Sequence, residues 1–295
     1  MPEIFAYDFM RRAFLVGILL AVIIPCIGII VVLKRLSMIG DTLSHASLAG
    51  VTAGLIGGIN PILGAIVACI CAALGIEAIR KKLPQYSEMA IAIIMSAGVG
   101  LAGVLSGFVK NAANFNSFLF GSIVAISDFE TRLVIGVSVA VLLSFLLLYR
   151  ALFFIALDER AAKLAGVPVG PVNFLFTILT AVTVSVAART VGALIVSSMM
   201  VLPVACAMQL AGSFRKTVLL SIAFAVGFTA AGLTIAYYGG QAIVNYGGLK
   251  PGGTIVLFGL CCFLLILLIK KFAGNIKPKL HPIHTDIEQQ KEERL

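Results

Sequence analysis

The chain has 295 residues, of which 60% are apolar and only 12% charged, against about 45–50% and about 25% in ordinary soluble domains. With a mean hydropathy of +1.10, this excludes a water-soluble globule and makes lipid the solvent of most of the surface. The net charge of +9 would point to nucleic acid in a soluble protein. In a membrane protein Lys and Arg accumulate in cytoplasmic loops instead, so no nucleic-acid partner is implied.

Spans are sought as apolar runs near the ~20 residues that cross ~30 Å of hydrocarbon. In chain order they fall at about 13–33, 41–58, 62–79, 89–109, 133–149, 170–188, 191–210, 216–238 and 252–269. This predicts an all-α polytopic membrane protein with about nine transmembrane helices, or eight if the first run does not cross. Glu3 and Asp8 precede Arg11 and Arg12, and no small-residue cleavage site follows, so the first run reads as a retained helix rather than a signal peptide. The piece Phe115–Ile126 is too short to cross and is expected to be a re-entrant or surface helix. Residues 1–272 are read as a single transmembrane domain and 273–295 as a polar tail.

Orientation follows from the basic residues. Placing the loops after the odd-numbered spans and the C-terminal tail in the cytoplasm gathers most of the Lys and Arg there. It leaves Arg11, Arg12, Lys110, Arg132, Arg189 and Lys250 on the other side. The chain is thus predicted to cross a membrane many times with its C-terminus cytoplasmic.

Packing cues are sparse. Gly50-x-x-x-Gly54 and Gly103-x-x-x-Gly107 carry small residues at the spacing that lets helix backbones approach. Asn60-Pro61, Gly170-Pro171 and Lys250-Pro251 open spans where the missing amide is harmless, whereas Pro203 falls inside one and is expected to kink it. All six cysteines lie in apolar runs and read as small hydrophobes, with no disulfide framework.

Ionisable groups inside a membrane are costly and by default mark function. Asp41 and His45 stand four apart, on one helix face. A carboxylate with an imidazole suits Mn, Fe or Zn better than Mg, Ca or Cu(I). The plainer alternative is that Asp41 caps the second helix and His45 packs one turn later. Glu88 opens the fourth span, where the helix dipole favours an acid anyway. Glu77, one turn before Arg80, reads as paired. Met199 and Met200 face different directions and read as packing, and His281-Pro-Ile-His284 as part of a solvated tail. In the loop from Asp158 to Val167, Asp158 is a cap, Ala161 to Ala165 favour helix, and Gly166 terminates it. Such a short helix lies on the lipid surface or docks into another protein.

Several segments carry a family resemblance: Val32 through Gly40-Asp41-Thr42-Leu43-Ser44-His45-Ala46, Ser87-Glu88 with the following Ala-Ile run, Phe118 to Ile123, Asp158-Glu159 through Ala162 to Gly166, and Val191-Gly192-Ala193-Leu194-Ile195-Val196 with Leu202-Pro203. In register from about residue 10 to 270, they resemble the integral membrane subunit of bacterial manganese/zinc/iron ABC importers. The resemblance implies that the membrane is a bacterial plasma membrane, and it implies a homodimer around a central path, two cytoplasmic ABC ATPase subunits, and an extracytoplasmic metal-binding protein that delivers the ion. It makes Asp41 and His45 the metal-contacting residues of the path, with Glu88 a weaker third. It also makes the stretch carrying Asp158, Glu159, Arg160, Ala162 and Gly166 the coupling helix against the ATPase. The metal is then transported substrate, manganese first with zinc or iron as alternatives, and no cofactor is bound permanently.

The residues support that division of labour, since no Gly-x-x-x-x-Gly-Lys-Ser/Thr occurs to cradle ATP phosphates. The chain is therefore expected to be a transporter subunit rather than an enzyme. A competing expectation is a secondary transporter relaying protons or cations through Asp41, Glu77 and Glu88, although no inverted repeat is evident. An intramembrane metalloenzyme lacks a His-Glu-x-x-His motif.

Overall fold

The computed structural model describes residues 7–109, 126–242 and 249–274. Among them the chain forms ten α-helices and no strand: α1 (Asp8–Leu33), α2 (Ile39–Ile56), α3 (Pro61–Lys82), α4 (Ser87–Ser106), α5 (Asp128–Leu157), α6 (Glu159–Leu164), α7 (Val169–Thr190), α8 (Ala193–Leu210), α9 (Phe214–Ala242) and α10 (Pro251–Gly274). Seven of these (α1, α3, α4, α5, α7, α9 and α10) are long and apolar enough to cross a membrane. α2 and α8 coincide with the remaining two expected spans, but α2 is diluted by Asp41, His45 and its Ser and Thr side chains. The segment expected to be re-entrant or at the surface lies almost wholly outside the described residues, as do the tail and its two histidines.

The helix boundaries follow local chemistry. Pro61 takes the first position of α3, and the Asn60 side chain accepts a hydrogen bond from the Ile62 amide at 2.9 Å. α7 opens at Val169 with Pro168 as its cap, so Pro171 falls inside its first turn. α5 overruns its apolar segment at both ends. Ser127 and Glu130 form a reciprocal capping box that adds a polar first turn, and the helix continues past Arg150 to Leu157. Thirty residues make it about 45 Å long, more than the hydrocarbon needs.

α1 is the central post, with Leu20, Ile23, Ile24, Ile27 and Ile30 almost fully buried. The first apolar run is therefore integral to the bundle. Pro25 lies inside α1, a feature the run itself did not advertise, and Pro203 lies inside α8. Each lacks the amide that would serve the carbonyl one turn earlier. The two helices meet near these prolines, where a Cβ added to Gly28 would fall on the Met200 carbonyl oxygen. Met199 and Met200 are buried packing residues there.

Among the described residues, one of the two small-residue motifs packs against a neighbouring helix and the other does not. Gly50 of α2 and Gly64 of α3 face each other so closely that a Cβ on either would strike the other's carbonyl, and Gly54 sits over Pro61. Gly103 looks into open space and Gly107 meets only its own helix. On the α4 face that carries them, Leu101 and Val104 are exposed.

Ion pairs and charged hydrogen bonds mark both ends of the bundle. At one end Arg12 pairs with Asp128 at 2.7 Å and Arg189 with Glu130 at 2.9 Å, tying α1, α5 and α7. At the other, Lys34 donates to the Asn173 Oδ1 at 2.6 Å, Arg80 pairs with Glu77 at 2.9 Å, and Lys270 donates to Gln209 at 2.9 Å.

Candidate functional site

The path of the chain after α1 sets the depth of the site. Arg35 adopts a left-handed φ of 57°, and the Leu36 amide folds back to donate to the Val31 carbonyl at 2.9 Å. α2 therefore starts within the bundle, where the Cβ position of Gly40 lies 3.3 Å from Ser197 Cα. The Cys69 thiol donates to the Leu43 carbonyl at 3.1 Å. From Cys69 the Lys82 end of α3 is about 20 Å away and the Pro61 end about 12 Å. On the other side Gly98 of α4 abuts the backbone of His45 and Ala46, about 16 Å from one end of that helix and about 12 Å from the other. Asp41 and His45 consequently stand at mid-height, although the chain enters α2 from the Lys34 end.

The two side chains share a face. Gly40, Thr42, Leu43, Ser44, Ala46 and Ser47 are buried by α3, α4, α7 and α8, while Asp41 and His45 are half-buried. Met38, Ala53 and Ile56 extend the same stripe to either end as exposed positions, narrowed at Ala49. Asp41 is in the first turn of α2 but does not cap it; the N-cap is Met38, with no side-chain hydrogen bond. Thr42 and Ser44 point away from the stripe. The Thr42 hydroxyl donates to the Met38 carbonyl at 3.1 Å, and the buried Ser44 hydroxyl has no hydrogen-bond partner among the described residues.

Glu88 is exposed in the first turn of α4. Among the described residues no group of three His, Cys, Asp and Glu is placed to hold a metal ion, so Glu88 does not complete a site with Asp41 and His45. Glu77 is buried and held by Arg80 at 2.9 Å and Lys81 at 3.9 Å, the pairing its spacing implied.

The expected short helix is present as α6. The Asp158 carboxylate accepts from the amides of Arg160 at 2.8 Å and Ala161 at 3.1 Å. Gly166 ends it at φ +82°, a value that favours glycine. Ala162 is fully buried and anchors the helix, while Leu164 is 90% exposed on its outer side. Beside α6 runs a charged groove of about 480 Å³ lined by Glu77, Arg80, Lys81, Glu159, Arg160 and Lys163. Sequence reasoning did not find this groove or the Lys34–Asn173 contact above it, because they join residues far apart in the chain.

Seven helices long and apolar enough to cross a membrane, with Asp41 and His45 together on one half-buried face and a short capped helix at one end, make this a polytopic membrane protein. The sequence profile of the ABC 3 transport family matches residues 6–270, and the chain belongs to that family. It is 32% identical over 265 residues to a "Probable metal transport system membrane protein" of Treponema pallidum (strain Nichols), covering 89% of this chain and 96% of the relative. It is 30% identical over 274 residues to the "Manganese import system permease protein ScaB" of Streptococcus gordonii, covering 93% and 96%. Among solved structures, "PsaBC from Streptococcus pneumoniae in complex with Fab" superimposes with a TM-score of 0.78 at 29% identity, over 90% of this chain and 93% of that one.

Proposed function

We propose that this chain is the membrane permease subunit of an ATP-binding cassette importer that brings a divalent transition metal into the bacterial cytoplasm. The observation that carries the reading is the family match along almost the whole chain, joined to an acid and an imidazole at mid-height of the bundle. Manganese is the metal we assign: the Streptococcus gordonii relative is named for manganese import, and the donor pair suits Mn. Zinc and iron fit the same donors.

In this reading nine helices cross the membrane, with α2 covered by α3, α4, α7 and α8 on every side but its Asp41/His45 stripe, and the basic Lys34 end and the C-terminus in the cytoplasm. A polar stripe at mid-height is costly against lipid. A second copy of the chain laid against the open face of α2 covers it and brings Asp41 and His45 from each side, giving four ligands. Two ligands per chain hold an ion loosely enough to release it, which transport requires. An extracytoplasmic metal-binding protein supplies the ion. The ATPase subunits dock on α6, with the exposed Leu164 and the charged groove as the contact surface, and their closure moves α6 and the helices it anchors. Glu88 stands at the cytoplasmic mouth as an exposed acid on the ion's way out.

The secondary-transporter alternative loses one of its three relay groups, because Glu77 is held in an ion pair with Arg80. The deciding experiment is uptake of radiolabelled Mn²⁺ into vesicles holding the chain with or without its ATPase partner. Uptake is expected only with the partner and ATP. Uptake sustained by an ion gradient alone would overturn the reading.

A further inference from the structure

On the outer surface of the bundle, away from the Asp41 face, α5 and α9 diverge around α1 and leave a groove of about 510 Å³, within the size range of small-ligand sites. Its floor is Cys26 of α1, and its walls are apolar side chains such as Leu146 and Ile222. At the Lys34 end the two helices close again, where the rings of Tyr149 and Phe214 lie 5.3 Å apart. Arg150 and Arg215 line the groove from opposite sides at that end. Both are exposed, and neither makes an ion pair among the described residues. Tyr149 lines the same groove, and its hydroxyl is buried without a hydrogen-bond partner among the described residues.

We propose that this groove holds an anionic phospholipid, its phosphate between Arg150 and Arg215 and an acyl chain along the Cys26 floor. The apolar walls belong to membrane-spanning helices, so hydrocarbon is what reaches them. Arg150 lies about 10 Å before the end of α5 and Arg215 in the first turn of α9, a depth at which a headgroup meets its acyl chains. Guanidinium groups take phosphate oxygens in bidentate fashion, and basic pockets between transmembrane helices select anionic headgroups. A phosphate or ester oxygen also gives the Tyr149 hydroxyl the acceptor it lacks, removing the cost of a buried unsatisfied donor. The lipid then bridges α9, which packs on α1 and α8, to α5, which leads directly into α6.

The test is lipid retention by the full chain in nanodiscs of mixed phosphatidylglycerol and phosphatidylcholine, read by native mass spectrometry. Phosphatidylglycerol is expected to be retained about 25-fold over phosphatidylcholine, roughly five-fold per arginine. Arg150→Gln with Arg215→Gln should abolish the preference, while Lys216→Gln, at an exposed neighbouring position, should leave it. Tyr149→Phe keeps the ring packing and should weaken retention several-fold. A photo-crosslinking side chain in place of Leu147, which is 84% exposed, should capture lipid. Equal retention of the two lipids, an unchanged preference in the double variant, or crosslinking to a second copy of the chain would overturn the proposal.

Discussion

Lys34 leaves the end of α1 and turns inward, donating to Asn173 at 2.6 Å with its ammonium 5.7 Å from the centre of the Phe176 ring. Burial pushes its pKa down from 10.5 to about 8, assisted by Arg80 and opposed by Glu159 and Glu77. Between about pH 8 and the unfolded value of 10.5 the unfolded chain holds the extra proton, so stability from this group rises with pH across that window. Thermal unfolding of the detergent-solubilised chain should show the rise, and Lys34→Met should flatten it; an equal slope in both would contradict the account. At this scale Asp41 and His45 stand out in the sequence, because an acid and an imidazole are rare inside apolar runs. The sequence could not mark Asn173, one amide in an apolar helix, whose partner stands 139 positions away. Pro25 escaped notice for the opposite reason: the apolar run around it is long enough to read as an unbroken span.

At the scale of elements, the closest approach rests on glycine. A Cβ at Gly50 would strike the Gly64 carbonyl and come within 2.6 Å of Ala68 Cβ, so Gly50→Ala must push α2 away from α3. Overpacking of this kind costs about 1–3 kcal/mol, and the thermal midpoint in detergent should fall accordingly. Gly103→Ala, in open space, should leave the monomer unchanged or slightly stabilised. Equal effects at the two positions would refute the packing assignment. Both motifs look alike in the sequence, because spacing reports which residues share a face and not whether a neighbour covers it. Helix positions were far more legible, since hydrophobic runs and Asn60-Pro61 or Lys250-Pro251 breakers set them directly. The length of α5 was not, because its extra turns come from a capping box and an extension past Arg150, polar features outside the apolar run. α6 was readable in full, its Asp158 cap and Gly166 stop being local chemistry.

For the whole molecule, composition alone placed the chain in the membrane, and the distribution of basic residues distinguished the two ends. Sequence could not give the depth of Asp41 and His45, because their loop is basic and suggests a position near the surface. The turn at Arg35 and the fold-back of Leu36 onto Val31 carry them to mid-height. Nor could it tell that, among the described residues, their face would stay only half-covered, a property of how α3, α4, α7 and α8 surround α2. The half-covered face with its acid and imidazole is the feature on which the proposed metal path between two copies rests. Uptake of radiolabelled Mn²⁺ by vesicles containing the assembled transporter tests this most directly. With Asp41→Ala and His45→Ala together, uptake should be lost while the complex still assembles and hydrolyses ATP; uptake at the unmodified rate would contradict it.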